Sequence, residues 1–281
     1  METARYCRSV GTPPSRTRIW LALWVVYLVW GSTYLAIRVG VHPTGGRGLP
    51  PLLMAGSRFT VAGLVMLAVT VKRPAPDGEP DPMGRRQWWS AAVIGLALPF
   101  GGNGVVSIAE RRIPSGTAAV VLATIPIWAA ILTAVATRRR LTGQHLIGLV
   151  LGFGGVAALL VGSGNGRVSV AGTLLTVFAA MSWAAGSVWS RFAASVRRPL
   201  VMTGMEMLCG GLGCLIVGLA SGEFGDLHRD EFTSDAWLAW AYLVVAGSLL
   251  AYSAYVWLLR NAELSLVTTY AFVNPVVAVI L

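Results

Sequence analysis

Apolar and polar residues follow one another along this chain in blocks, without the two-residue alternation of a half-buried strand. Nine apolar runs, 19–41, 52–71, 89–109, 115–136, 144–161, 170–192, 200–220, 237–259 and 264–281, stand between short polar or basic segments. Each is close to the ~20 residues that carry a helix through a bilayer core of about 30 Å. The pattern predicts an all-α, polytopic membrane helix bundle with nine helices present. Residues 1–18 are polar and basic (Arg5, Arg8, Arg16, Arg18) and read as a tail. A basic start before an apolar run has the outline of a signal peptide, but this run is too long and no small-x-small cleavage pattern follows it. Residues 72–87 hold Pro74, Pro76, Pro80 and Pro82 and read as a solvated loop. Residues 221–235 read as an acidic loop with room for a short interfacial helix.

Composition sharpens this picture. Of 281 residues 55% are hydrophobic and only 12% charged, against about 25% charged in soluble domains. A net charge of +10 can signal nucleic-acid binding. The basic residues, however, lie between the apolar runs, where they orient a membrane protein. With the N-terminus cytoplasmic, 15 Lys/Arg fall on inner segments and 6 on outer ones, Arg58 making up the total of 22. This bias predicts a multi-pass cell-membrane protein with its N-terminus inside and no nucleic-acid partner. Cys7, Cys209 and Cys214 form no CxxC or Cys/His cluster, and the three histidines stand apart, so no disulfide, metal or cofactor site is predicted.

The chain also repeats itself. Met54-Ala55-Gly56-Ser57-Arg58-Phe59 and Met202-Thr203-Gly204-Met205-Glu206-Met207 share Met and Gly at an offset of 148 residues. Trp30-Gly31-Ser32-Thr33-Tyr34 is echoed weakly by Trp183-Ala184-Ala185-Gly186-Ser187, and Ala123-Thr124-Ile125-Pro126-Ile127 by Phe272-Val273-Asn274-Pro275-Val276. Five helices per repeat, 19–162 and 170–281, is an odd number and sets the halves in opposite orientations. Inverted repeats of this kind belong to secondary transporters, with the substrate site near the midplane between the repeats. By the same offset Leu281 matches Leu132, so ten helices are expected and the tenth is not in the sequence.

These motifs, with the stretch 103–126 and Tyr270-Ala271-Phe272-Val273-Asn274-Pro275-Val276-Val277-Ala278-Val279, resemble those of EamA-type transporters of the drug/metabolite transporter superfamily. The resemblance covers residues 20–281. It implies ten helices in two inverted repeats, alternating access, and export of small metabolites, amino acids or drugs. A polytopic membrane enzyme acting on lipid or isoprenoid groups is the competing reading. It would need clustered Asp, His or Glu at a membrane face, and these are sparse here.

Transport calls for weak, reversible contacts, which aromatics and amides supply. The candidates for substrate contact are Trp30, Tyr34, Asn103, Trp183, Tyr252 and Asn274, with Tyr255 beside them. The alternative role for each aromatic is an interfacial anchor or a packing residue. Pro126 and Pro275 fall mid-helix at matching repeat positions and predict kinks or hinges. Gly101-Gly102-Asn103-Gly104 lacks the Lys-Ser/Thr of a phosphate cradle and predicts close helix packing. Gly148-x-x-x-Gly152 and Gly218-x-x-x-Gly222 suit packing within the bundle, or in a homodimer. Arg111 and Arg112, beside Glu110, read as a solvated turn.

Two charges lie inside apolar runs, Arg58 and Glu206. An Arg at mid-bilayer costs about 2.5–3.5 kcal/mol on insertion scales, so such groups are functional or paired. Each is the seventh or eighth residue of its run, about 10 Å from opposite membrane faces at 1.5 Å per residue. The two are therefore expected to stay apart, with Glu110 the expected partner of Arg58, and with Glu206 either paired to Arg191, Arg197 or Arg198 or left protonated. A proton or a counter-substrate is the expected coupling partner, and lipid the surroundings.

Overall fold

The computed structural model describes residues 14–42, 48–71, 81, 83–138, 143, 147, 148, 150, 151, 154, 169–227 and 233–281. Seven helices among them are long and apolar enough to cross a membrane: α1 (Arg16–Val41), α2 (Pro51–Val71), α3 (Arg85–Ala109), α4 (Ser115–Thr137), α5 (Val170–Ser190), α6 (Pro199–Ala220) and α7 (Ser234–Asn261). A shorter apolar helix, α8 (Leu264–Ala278), follows. They match the predicted runs except the fifth, 144–161, which falls mostly outside the described residues, together with Gly152 of its glycine pair.

Several helices begin where a side chain can satisfy their free N–H groups. The hydroxyls of Ser15, Ser169 and Thr233 accept from the amides of Arg18, Gly172 and Ala236 at the starts of α1, α5 and α7. Helix α2 starts on Pro51 and borrows its cap from a distance. The Glu223 carboxylate accepts from Leu52 N at 3.0 Å and Leu53 N at 3.0 Å. Residues 221–226, the start of the expected acidic loop, are turns that fold back so that Glu223 reaches the start of α2. Gly222, at φ 82°, makes that turn. It is therefore not the second half of a helix-packing pair with Gly218.

The helix ends gather in two groups. One end holds His42, Pro51, Glu110, Ser115, Val170 and Glu223, linked by contacts such as His42 to the Arg111 carbonyl and Glu223 to Leu52. The other holds Asp81, Arg191, Arg198 and Arg260, where Arg198 pairs with Asp81 and Arg191 donates to the Ala262 carbonyl. Helix α1 ends at the Glu110 end while α5 begins there. Likewise α2 begins there while α6 ends there.

Helices α2 and α6 pack backbone to backbone through four glycines. A Cβ on Gly63 would sit 2.7 Å from Leu208 N and 2.8 Å from Gly204 O. A Cβ on Gly56 would sit 2.8 Å from Leu215 N, and one on Gly211 3.0 Å from Gly56 O. Gly56 and Gly63, like Gly204 and Gly211, are two helical turns apart, so each pair lies on one face. In lipid, where apolar side chains gain little by leaving their surroundings, such close approach is what holds helices together. Helix α3 joins this core: Gly95 lies against the Glu206 carbonyl and Gly210.

Two helices leave regular geometry midway. Residues Leu96–Gly104 of α3 and Leu243–Tyr252 of α7 are π-helical. Their starts are 147 residues apart (243 − 96), close to the repeat offset, and such stretches tend to mark functional sites. The Gly101–Gly104 segment packs closely, Gly102 against Trp183 and Gly104 against Cys214. Helix α4 breaks at Ala123–Thr124 and α8 at Thr268–Thr269. Pro126, midway along α4, is the second residue after its break. A proline is tolerated there because its missing N–H has no helical partner to lose. Pro275 lies inside the Tyr270–Ile280 segment of α8.

Replacing Gly63 by Ala forces a methyl against the α6 backbone, whereas Gly84→Ala meets only the mobile end of Gln87. The expected result is that Gly63→Ala lowers stability by about 1–3 kcal/mol, and Gly84→Ala leaves it near wild type. Thermal unfolding of the detergent-solubilised protein, followed by gel filtration, checks this.

Candidate functional site

The helix faces set by these packings enclose a cavity between α1, α3, α4, α5 and α8. Its walls are Trp30, Thr33, Tyr34, Ile37, Gly102, Asn103, Val106, Leu122, Ile125, Ala179, Trp183, Tyr270 and Asn274. The spacing explains the selection. Trp30, Thr33, Tyr34 and Ile37 form an i, i+3, i+4, i+7 line on α1, while Ala179/Trp183 and Tyr270/Asn274 are i, i+4 pairs. About 50 Å³ is free for the centre of a water-sized molecule. That accommodates roughly three to five waters, so a metabolite requires the walls to part. Among the described residues no charged side chain lines this cavity.

Five of the six residues named from the sequence line it: Trp30, Tyr34, Asn103, Trp183 and Asn274. Tyr252 does not, although it touches both tryptophans in the ring cluster beneath. In that cluster Trp30 meets Trp183 and Tyr270 edge to face at 5.3 and 5.1 Å, and packs against Tyr255 at 4.9 Å with the rings tilted by 48°. Trp183 Nε1 donates to the Tyr255 hydroxyl (3.1 Å), which also shares a hydrogen bond with Ser187 (2.6 Å). Tyr252, Tyr255 and Ser187 lie toward the Asp81 end, so the rings form a floor to the cavity on that side. Edge-to-face pairs add about 0.5–1.5 kcal/mol each beyond burial.

Asn274 orients its amide so that the nitrogen donates to the carbonyls of Tyr27 and Tyr270, each at 3.1 Å. Tyr270, which lines the cavity, was not among the residues expected to contact substrate. Its place four residues before Asn274 puts the two on one helical face, and that spacing was the available signal.

The two intramembrane charges do not meet each other, and their partners differ from those expected. Arg58 is buried, donates from Nε to Ser248 Oγ (2.8 Å) and lies 4.4 Å from the Phe59 ring centre. The expected Glu110 partner is corrected to Ser248. The π segment of α7 brings both Gly247 and Ser248 to α1 and α2. Trp30 Nε1 donates to the Gly247 carbonyl (3.1 Å), and a side chain at Gly247 would come 3.4 Å from the Arg58 guanidinium. Glu206 accepts a long hydrogen bond from the Tyr252 hydroxyl, 3.5 Å, with Arg260 the cation in electrostatic range. The expected partners Arg191, Arg197 or Arg198 are corrected accordingly. Arg191 is held by the Leu259 and Ala262 carbonyls, and Arg198 by Asp81 and the Thr70 carbonyl. Glu110 is fully buried, while Arg111 and Arg112 beside it are exposed, as expected of a solvated turn.

A multi-pass helical bundle whose interhelical cavity is walled by aromatics, amides and aliphatic residues has the architecture of a membrane transport protein. The chain belongs to the EamA-like transporter family, which matches residues 18–161 and 170–281. It is 38% identical over 269 residues to an uncharacterized inner membrane transporter, YedA, of Escherichia coli strain K12, covering 92% of this chain and 80% of that one. It is 28% identical over 270 residues to a probable amino-acid metabolite efflux pump of Salmonella typhimurium, covering 94% and 85%. One solved crystal structure superposes with a TM-score of 0.63 at 20% identity, covering 95% of this chain and 87% of that one. That likeness concerns the fold alone. The chain is thus a multi-pass membrane transporter of small molecules.

Ser248→Ala removes the hydrogen-bond partner that Arg58 Nε has among the described residues. An orphaned buried donor of this kind costs about 1–3 kcal/mol. The expected outcome is a stability loss of that size, measured by thermal unfolding, with Ser248→Thr retaining most of it.

Proposed function

We propose that this chain exports a small, amino-acid-like metabolite by alternating access. The N-terminus is cytoplasmic, and the two halves act as inverted repeats about the cavity. The observation that carries the reading is the cavity itself. It joins residues of α1, α3 and α4 from the first half to residues of α5 and α8 from the second, so relative movement of the halves changes its exposure. Its chemistry suits a ligand with an apolar part and a few polar groups. Rings supply sequence-tolerant apolar walls and can hold an ammonium over their faces, while Asn103 and Asn274 offer amide donors and acceptors. The name of the Salmonella relative, a probable amino-acid metabolite efflux pump, supports the same ligand class. Trp30, Tyr34, Asn103, Trp183 and Asn274 contact substrate in this reading. Tyr252 instead supports the ring floor, and Pro275 lies one residue beyond a wall residue.

Efflux of radiolabelled amino acids from loaded cells or vesicles tests this. Asn103→Ala is expected to reduce efflux about tenfold, as loss of roughly 1.4 kcal/mol of substrate binding would. Trp183→Ala is expected to abolish it, since the cavity wall and the floor both lose their anchor. A transporter active on other solutes but on no amino acid contradicts the ligand class. Wild-type efflux in the Asn103→Ala protein contradicts the site.

A further inference from the structure

Four carboxyls among the described residues are drawn into the protein, and three of them have hydrogen-bond donors. Asp81 meets Arg198, Glu206 accepts from Tyr252, and Glu223 caps α2. Glu110 differs: it is fully buried, and neither of its carboxyl oxygens has a hydrogen-bond partner. Arg38 is close enough to act on it electrostatically, yet its Nη1 donates to the backbone carbonyl of Glu110, at 2.7 Å. Glu110 lies one helical turn beyond Val106 and in electrostatic reach of Tyr34, and both of those line the cavity.

We propose that Glu110 is the proton-binding carboxyl that couples substrate movement to a proton gradient. It is neutral while the cavity is closed at its end and exchanges its proton when the cavity opens. The inference rests on the reading of this chain as a metabolite exporter. An ionised carboxyl without donors in a dry site is strongly disfavoured, so closing this end requires the protonated form. Opening admits water, the carboxyl O–H bond breaks, and the proton passes to water, leaving a carboxylate stabilised by hydration and by Arg38. No electrons are transferred. Burial raises the affinity of Glu110 for its proton, well beyond the opposing effect of Arg38.

The other ionisable groups around it are known. From α1 come Tyr34 and Arg38, and just past its end His42, whose ring Nε2 is 3.3 Å from the Arg111 carbonyl. Arg111 and Arg112 in its own turn are exposed. Glu223 stands at the start of α2, within electrostatic reach of Arg111. Arg58 on α2 is engaged by Ser248, and α5 presents Gly172 to the turn.

The test compares wild type, Glu110→Gln and Glu110→Asp in proteoliposomes, with a mixture of radiolabelled amino acids as the probe. Accumulation driven by a pH gradient is expected to fall about tenfold or more in Glu110→Gln, while counterflow without a gradient stays within about twofold of wild type. Counterflow in wild type slows as pH rises on the Glu110 side, because closing needs the neutral carboxyl. In Glu110→Gln that dependence is flat, and Glu110→Asp restores gradient coupling. Infrared spectroscopy of the purified protein at neutral pH provides a readout that needs no substrate. A protonated-carboxyl band lost in Glu110→Gln and kept in Glu206→Gln supports the proposal. Unchanged gradient-driven accumulation in Glu110→Gln, or a band that this variant leaves intact, overturns it. If wild type moves no amino acid, the exporter reading fails while the infrared result still decides the state of Glu110.

Discussion

The contact on which the structure depends is the glycine seam between α2 and α6. Lipid provides no hydrophobic force between helices, so these two are held by the fit of their surfaces. With Gly56 and Gly63 set against Gly211 and Gly204, the backbones approach until no methyl fits between them. The seam pairs a helix from each half of the chain and fixes where the remaining helices can stand. Helix α3 packs on it through Gly95, and α7 reaches it through Arg58 and Ser248.

That geometry makes polar groups affordable within the bilayer. Arg58 would be costly alone in lipid. It is tolerated because the π-helical stretch of α7 turns Ser248 toward it and leaves Gly247 small enough to lie beside it. The Gly247 carbonyl in turn receives the Trp30 indole, so the arginine contact and the upper edge of the ring floor share one segment. Below the rings, Glu206 and Tyr252 share a hydrogen bond. Above them, the cavity runs along α1 from Trp30 to Ile37, seven residues or about 10 Å, toward Glu110. A buried carboxyl therefore lies near each end of the ring-and-cavity column.

Much of this was legible in the sequence, and what was not has a physical reason. Apolar runs give helix number and depth directly, and a repeat offset pairs positions. They do not give azimuth, because a helix that is apolar all round has no marked face. Depth alone was enough to separate Arg58 from Glu206, but it could not find Ser248, which meets Arg58 only because α7 departs from regular helix. The same blindness to azimuth paired Glu110 with Arg58, since depth brings the two to one membrane face without saying which sides they turn to each other. The aromatic and amide positions were easier. Asparagines within the apolar runs are only two, Asn103 and Asn274, and Trp30/Tyr34 and Tyr270/Asn274 carry their own i, i+4 geometry.

The central claim is that the cavity beside Trp30 is the passage for substrate and opens alternately to the two faces. The direct measurement is the accessibility of one thiol placed in its wall. Val106→Cys, in a chain with Cys7, Cys209 and Cys214 replaced by Ser, would be treated with a membrane-impermeant maleimide from each side of vesicles. The account predicts modification from both faces, slowed from either face by transported substrate. Modification from one face alone in a protein that still transports, or modification unaffected by substrate, would contradict it.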